Sequence, residues 1–181
     1  MKTKKILFII LWILLIVISF IYDQKILDFA QSLKNSVLDF IFLGLHYLTD
    51  WVSILVLFSL YFLIKDRKKL KSFLICYLIT MLFVVLLKNF VGRERPSVEL
   101  EDDLYKSFPS GHSAAVFSVL SFVSEKYIKY WVFISILVMV SRVYLEAHYA
   151  SDVLVGAFIG YFGCRTLLRV VESRKVSKLV S

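Results

Sequence analysis

The chain has 181 residues, 59% of them hydrophobic, and a mean hydropathy of +0.77. Soluble domains are only about half apolar, so this composition excludes an ordinary soluble protein and indicates that lipid is its main solvent. The formal net charge of +8 does not indicate a nucleic-acid partner. The basic residues stand beside apolar runs, where they set membrane orientation or attract anionic lipid.

A basic segment, Met1–Lys5, precedes the first apolar run, Ile6–Tyr22. A secretory signal peptide starts in the same way, but no small-residue cleavage site follows this run. Its length approaches the roughly 20 residues that cross a bilayer. We therefore predict an uncleaved first membrane span.

Apolar residues then recur at helical spacing from Ile26 to Ile41, with polar residues such as Asp28 and Asn35 on the opposite side. This pattern predicts an interfacial amphipathic helix between the first two spans. Two interpretations remain open. The segment is either a connecting helix packed on the bundle or a membrane-surface helix that guides lipid to a site.

Five further apolar runs follow at Trp51–Ile64, Ser72–Leu87, Ser113–Ser124, Tyr130–Leu145 and Ala150–Leu168. With the first run they predict six transmembrane helices. No linker or low-complexity tract divides the chain. We therefore expect an all-α polytopic membrane protein with a single membrane-embedded domain, residues 1–181.

The distribution of charges predicts the orientation. If the spans alternate from an inside N-terminus, most of the 22 lysines and arginines fall inside and most of the 14 acidic residues fall outside. The positive-inside rule then places both termini in the cytoplasm. We expect a multi-pass protein of the cell (inner) membrane.

Three cations, Lys88, Arg95 and Arg142, stand at the outer ends of apolar spans, where an unpaired charge is costly and usually has a partner or a purpose. The same topology brings two imidazoles and one carboxylate to that side of the membrane: His112, His148 and Asp152. Cations, imidazoles and an acid in one cluster indicate an anion-binding site that faces the outside or the periplasm.

Two stretches offer groups that bind phosphate oxygens. Lys88–Pro96 supplies an ammonium and a forked guanidinium, although basic residues at the end of a span are more often interfacial anchors. Pro109-Ser110-Gly111-His112 opens the fourth span, where helix-start N–H groups, a glycine and a serine hydroxyl face one point. A serine N-cap explains Pro109 and Ser110 equally well, but it gives no reason for His112.

In the third stretch, Ser141-Arg142 is followed by His148 and then by Asp152, one helical turn later. An acid that holds one ring nitrogen of His148 leaves the other nitrogen available to attack phosphorus. A buried histidine and aspartate that merely satisfy each other would show the same spacing.

Together these stretches resemble the signature of the type-2 phosphatidic acid phosphatase superfamily: Lys-x6-Arg-Pro, Pro-Ser-Gly-His and Ser-Arg-x5-His-x3-Asp. All three occur in this order between Lys88 and Asp152. The six-span pattern looks like that of the small bacterial or archaeal members. Those members include lipid phosphatases similar to phosphatidylglycerophosphatase B, to lipid A phosphatases and to undecaprenyl-diphosphatases.

The resemblance implies an integral membrane lipid phosphatase that uses no cofactor and no metal. In such an enzyme His148 would be the nucleophile that forms a phosphohistidine, and Asp152 would orient it. His112 would protonate the leaving group and then help to activate water. The resemblance also implies five residues that bind the phosphoryl oxygens and offset charge in the transition state: Lys88, Arg95, Ser110, Gly111 and Arg142.

Two positions outside the signature depart from the pattern of relatives. Glu146 stands where a small residue is frequent, and Ala150 stands where a proline is frequent. A carboxylate two residues from His148 would repel phosphate or raise the pKa of the histidine, unless it points to water or pairs with Arg93.

Other functions remain open. A vanadium-dependent haloperoxidase shares the phosphate-binding constellation, but those enzymes are typically soluble. A polyprenyl diphosphate phosphatase shares every motif and differs only in its substrate. An anion transporter would explain the cations, but not the two histidines and the aspartate at these spacings.

The motifs specify phosphate and leave the rest of the substrate open. Phosphatidate, phosphatidylglycerophosphate, a lipid A phosphate and a polyprenyl diphosphate all fit them. The acidic loop, Glu99–Asp103, either selects against highly charged head groups or is a solvated turn. The oligomeric state is not encoded in any of these patterns.

Overall fold

The computed structural model describes residues 2–97 and 106–170, and every regular element there is helical. The acidic loop, Glu99–Asp103, lies outside the described residues. The last helix continues from Phe158 through a π-helical turn to Val170. The helices are α1 (Lys2–Ser32), α2 (Ser36–Leu48), α3 (Trp51–Lys65), α4 (Arg67–Val91), α5 (Gly111–Val119), α6 (Glu125–Tyr144) and α7 (Ala150–Phe158), with the π turn at Ile159–Gly163.

Polar side chains define where several helices begin. Asn35 caps α2 by accepting the Leu38 N–H at 3.0 Å, and Asp50 caps α3 in the same way. Asp66 caps α4. At the other end of α4, Gly92 has a φ of 65°, a left-handed conformation that glycine adopts without steric cost and that commonly ends a helix.

The all-α membrane class is confirmed, but six clear spans are not found. In the described residues, four segments are long and apolar enough to cross a bilayer: Ile6–Ser32, Arg67–Val91, Glu125–Tyr144 and Ala150–Val170. A fifth span exists only if α2 and α3, bent by 59° at their junction, are counted together. Alone, α3 has 15 residues, fewer than the roughly 20 that a full crossing needs.

The predicted fourth span is the clearest departure. The helix there, α5, has nine residues and is therefore only about 14 Å long. It is buried from His112 to Val119 and packs against α3, α4, α6 and α7. Its apolar side chains contact other helices rather than lipid, and hydropathy alone does not separate these two environments.

The amphipathic segment from Ile26 to Ile41 is not one helix. Its first part continues α1 to Ser32, and its second part belongs to α2, which Asn35 starts afresh. The Asn35 N–H donates to the Tyr144 hydroxyl of α6 at 2.9 Å, and that hydroxyl donates to Asp39 at 2.9 Å. These contacts match a connecting helix packed on the bundle, whereas a role in guiding lipid stays a prediction.

Two glycines on the last helix allow it to approach α5 very closely. A Cβ added at Gly156 would lie 2.3 Å from the Ser110 carbonyl oxygen, and one added at Gly160 would lie 2.3 Å from that of Ala114. The four-residue spacing is the small-residue pattern that brings membrane helices into backbone contact. The start of α5 therefore lies directly on α7.

We predict that Gly156→Ala destabilises the protein by about 1–3 kcal/mol. The new methyl group would overlap the Ser110 backbone carbonyl, which a change of side-chain rotamer cannot move. The matched control is Gly44→Ala in α2, where nothing lies within 4 Å of the added Cβ. That control should be neutral or stabilising by about 0.5–1 kcal/mol. Thermal unfolding in detergent measures both variants, and equal melting temperatures would contradict the prediction.

Candidate active site

The three sequence motifs meet at one end of the bundle. The first motif lies at the end of α4 and in the loop after it, and the second lies at the start of α5. The third runs from the last turn of α6 through the α6–α7 connection, which holds His148, to the first turn of α7. The charges of Lys88 and Arg95, on the first motif, act on His148 of the third. Four side chains of the cluster are almost completely buried: Ser110, Arg142, His148 and Asp152.

Backbone contacts join the start of α5 to α7. The Ser110 N–H donates to the Asp152 carbonyl at 3.0 Å. The Ser110 hydroxyl oxygen accepts from the Ser113 N–H at 3.4 Å and from the Ser113 hydroxyl at 3.2 Å. Ser110 is therefore both the N-cap of α5 and part of the cluster, so the two interpretations of this motif are compatible.

His148 lies in the short connection between α6 and α7, next to Asp152. The distance from His148 Nδ1 to Asp152 Oδ2 is 3.7 Å, which is too long for a hydrogen bond. Within the described residues, this buried Nδ1 has no hydrogen-bond partner. Catalytic hydrogen bonds are often long before substrate binds, and a movement of about 1 Å would close this one.

The environment of His148 favours its neutral form. Burial lowers the pKa of His148 well below the ordinary value for histidine, and the nearby charges of Lys88, Arg142 and Arg95 lower it further. A neutral imidazole keeps the nitrogen lone pair that a nucleophile needs. The cations that would bind an anion therefore also keep the candidate nucleophile unprotonated.

The cations at the site are anchored by carbonyl groups. Lys88 Nζ donates to the Lys106 carbonyl at 2.6 Å, and Arg95 donates to the Ala147 carbonyl at 3.0 Å, one residue before His148. These hydrogen bonds fix where the positive charges lie.

A third histidine, absent from the sequence prediction, joins the cluster from α2. The ring of His46 stacks on His112, with centroids 4.9 Å apart, and its Nδ1 contacts the guanidinium of Arg142. Across the part of the chain that the structure describes, the buried Nε2 of His112 has no hydrogen-bond partner. His46 thus packs against one face of the His112 ring, and the Nε2 atom of His112 can hydrogen-bond to a ligand.

Arg93 is a second residue that the motifs did not single out. Its guanidinium donates to Asp152 Oδ1 at 2.8 Å and to Asp23 Oδ2 on α1 at 2.8 Å. It also lies 4.0 Å from the centre of the Tyr149 ring. Burial alone would lower the pKa of Arg93, but the two carboxylates raise it above its ordinary value.

Glu146 does not pair with Arg93. Its carboxylate accepts a hydrogen bond from Gln31 at 2.8 Å and forms an ion pair with Lys34, both in the segment where α1 ends. Its backbone has a φ of 57°. The acid two residues before His148 is therefore paired with the segment where α1 ends.

Comparison with known proteins identifies the family. Residues 69–175, more than half of the chain, match the PAP2 superfamily. The chain belongs to the PAP2 superfamily. It is therefore a multi-pass membrane phosphatase of the PAP2 lipid phosphatase type.

Two solved structures share the fold of this PAP2 protein. One is Aquifex aeolicus LpxE, with a TM-score of 0.72 and 24% identity over 81% of this chain and 94% of that one. The other is a transmembrane PAP2-type phosphatidylglycerolphosphate phosphatase from Bacillus subtilis, with a TM-score of 0.73 and 22% identity over 92% of this chain and 94% of that one.

The PAP2 match divides the site into two groups of residues. Every residue predicted from the motifs lies within residues 69–175. Four contributors from α1, α2 and the segment between them lie before that range: Asp23, Gln31, Lys34 and His46. For Asp23, the sequence signal is a carboxylate at the end of an apolar run. No motif or spacing around His46 indicates that this histidine belongs to the site.

We predict that Glu146→Val lowers the stability of the protein by about 1–2 kcal/mol more than Glu146→Asn does. Both variants lose the carboxylate, but a β-branched residue fits the left-handed backbone poorly, whereas asparagine tolerates it. Melting temperatures in detergent provide the comparison. If the valine variant melted at or above the temperature of the asparagine variant, the left-handed backbone at this position would be irrelevant to stability.

Proposed function

We propose that this PAP2 protein hydrolyses a phosphate monoester or diphosphate of a lipid through a phosphohistidine on His148. The observation that supports this most directly is the placement of two buried histidines and a buried carboxylate in one cluster with the fully buried Arg142 and the half-buried Lys88 and Arg95. Such a site combines a nucleophile, a proton donor and positioned positive charge. The membrane bundle around it suits a lipid substrate.

In the first half of the reaction, the lone pair of His148 forms a bond to phosphorus while the bond from phosphorus to the lipid oxygen breaks. Asp152 accepts a hydrogen bond from the N–H of the other ring nitrogen and stabilises the positive charge that develops on the imidazole. His112 donates a proton to the leaving oxygen, so the product departs as a neutral alcohol or as a protonated phosphate.

In the second half, water attacks the phosphohistidine. His112, now deprotonated, takes a proton from that water, the bond between phosphorus and nitrogen breaks, and inorganic phosphate leaves. Five residues bind the equatorial oxygens in both steps: Lys88, Arg95, Ser110, Gly111 and Arg142. Because these donors supply the charge stabilisation, the proposed reaction needs no metal and no cofactor.

The lipid itself is the open part of the proposal. Phosphatidylglycerophosphate is the first lipid to test as a substrate, because one protein of the same fold is described as a phosphatase of that lipid. Phosphatidate, lipid A phosphate and polyprenyl diphosphate follow. The second candidate function is a polyprenyl diphosphate phosphatase, which would use the same residues.

We predict that the detergent-purified protein releases inorganic phosphate from at least one of these four lipids in the presence of EDTA. His148→Gln should reduce the rate by at least about 1,000-fold, because it removes the group that attacks phosphorus. Lys129→Gln, a change of an exposed cation on α6, serves as the control and should leave the rate unchanged. The four lipids are compared by kcat/KM.

Two results would contradict the mechanism. Loss of activity in EDTA with recovery on adding a divalent cation would show that a metal takes part. Folded protein that released no phosphate from any of the lipids, but bound phosphate, would favour the anion transporter or binding protein.

We also propose that both termini are cytoplasmic and that the site opens on the outer side of the cell membrane. The test uses Glu94→Cys beside the site and Lys68→Cys in the first turn of α4, both exposed positions. Each is placed in a background with the buried Cys76 and Cys164 changed to alanine. A membrane-impermeant maleimide should label Glu94→Cys in intact cells, but Lys68→Cys only after permeabilisation. The reverse pattern would invert the topology.

A further inference from the structure

A buried carboxylate on the first membrane helix is bonded to the start of the last one. Asp23 of α1 is 5% exposed. Its Oδ1 accepts the Ser151 backbone N–H at 2.8 Å, and its Oδ2 accepts from the Ser151 hydroxyl and from Arg93. Burying a carboxylate in an apolar segment costs free energy unless the carboxylate is paired, and these three hydrogen bonds pair Asp23.

The bond to Ser151 lies in the first turn of α7, where backbone N–H groups have no partner within the helix. A negative charge at this end also complements the positive end of the helix dipole. Asp23 therefore anchors the start of α7 from another helix. The residue that this turn carries toward His148 is Asp152.

Arg93 connects the two carboxylates. Its Nη2 donates to Asp23 and its Nη1 donates to Asp152 Oδ1, while Nη1 also lies 2.7 Å from the Ser151 hydroxyl. The Tyr149 ring packs against the guanidinium plane, and the Tyr149 N–H donates to Asp152 Oδ2 at 2.9 Å. The Asp152 carboxylate is thus held on both oxygens, with Oδ2 on the side of His148.

We propose that Asp23 and Arg93 are positioning residues that act on the nucleophile through Asp152. This inference rests on the proposed function of His148 and Asp152. Asp23 holds one end of the Arg93 guanidinium and the first turn of α7. Arg93 in turn holds the Asp152 carboxylate in its orientation, so that a small movement on substrate binding brings Oδ2 into hydrogen-bond distance of His148 Nδ1.

The first membrane helix therefore contributes a positioning residue to the site, although Asp23 lies outside residues 69–175, the part of the chain that matches the family. The proposal also gives a role to the two carboxylate contacts of Arg93, one with Asp23 and one with Asp152.

The test compares Asp23→Asn with Asp28→Asn. Both changes lie on α1 and remove one carboxylate, but Asp28 is exposed and its carboxylate accepts a hydrogen bond from Gln24 of the same helix. With the best lipid of the panel, Asp23→Asn should lower kcat by about 10- to 100-fold, the effect of losing a charge-assisted hydrogen bond. KM should stay within about twofold of wild type, because Asp23 touches no substrate.

A double-mutant cycle separates positioning from a general structural effect. If Asp23 acts through Asp152, adding Asp23→Asn to Asp152→Asn should change the residual kcat by less than about twofold. If the two losses multiply instead, Asp23 contributes independently of Asp152 and the proposal is wrong. A wild-type kcat in Asp23→Asn would overturn it as well.

Arg93→Gln provides a second route if Asp23→Asn does not fold. It should show the same loss of kcat, the same KM and the same non-additivity with Asp152→Asn, and a normal kcat would refute the inference. Failure of the proposed function looks different. In that case wild-type protein releases no phosphate, or His148→Gln retains the wild-type rate.

Discussion

The Ser110 carbonyl lies against the backbone of Gly156, in the space that the Cβ atom of any residue other than glycine would occupy at this position. This contact sets the distance between α5 and α7, and the rest of the site depends on it. It brings the Ser110 N–H to the Asp152 carbonyl and places His112 on the same side as His148. The turn proposed to bind phosphate is therefore in direct backbone contact with the helix that follows the proposed nucleophile.

Charge burial is the second constraint on this fold. Arg142 and Asp152 are fully buried inside the bundle, whereas many large apolar side chains are exposed on its surface. Removing such groups from water is expensive unless each is paired with good geometry. Asp152 meets that requirement through its ion pair with Arg93, which also fixes the position of its carboxylate, and one nitrogen of Arg142 contacts His46. The pairing that makes burial tolerable also orients the groups of the site.

The membrane class, the family and the set of motif residues follow from the sequence alone. Long apolar runs require a lipid environment because backbone and side chains of this composition have too little polar surface for water. The motifs are recognisable because each is a short segment whose internal spacing is fixed by one helix start or one turn. The number of spans does not follow, because α5 is as apolar as a lipid-facing helix and yet is enclosed by other helices.

Tertiary structure alone decided which residues surround those motifs. Asp23 and Arg93 are 70 residues apart, His46 and Arg142 are 96 apart, and Lys34 and Glu146 are 112 apart. A side-chain contact over such distances leaves no periodicity or spacing in the sequence. It exists because α1 packs on α7 and α2 packs on α6. The sequence by itself thus determined the chemistry that the site carries, and the packing of the helices decided what holds that chemistry in place.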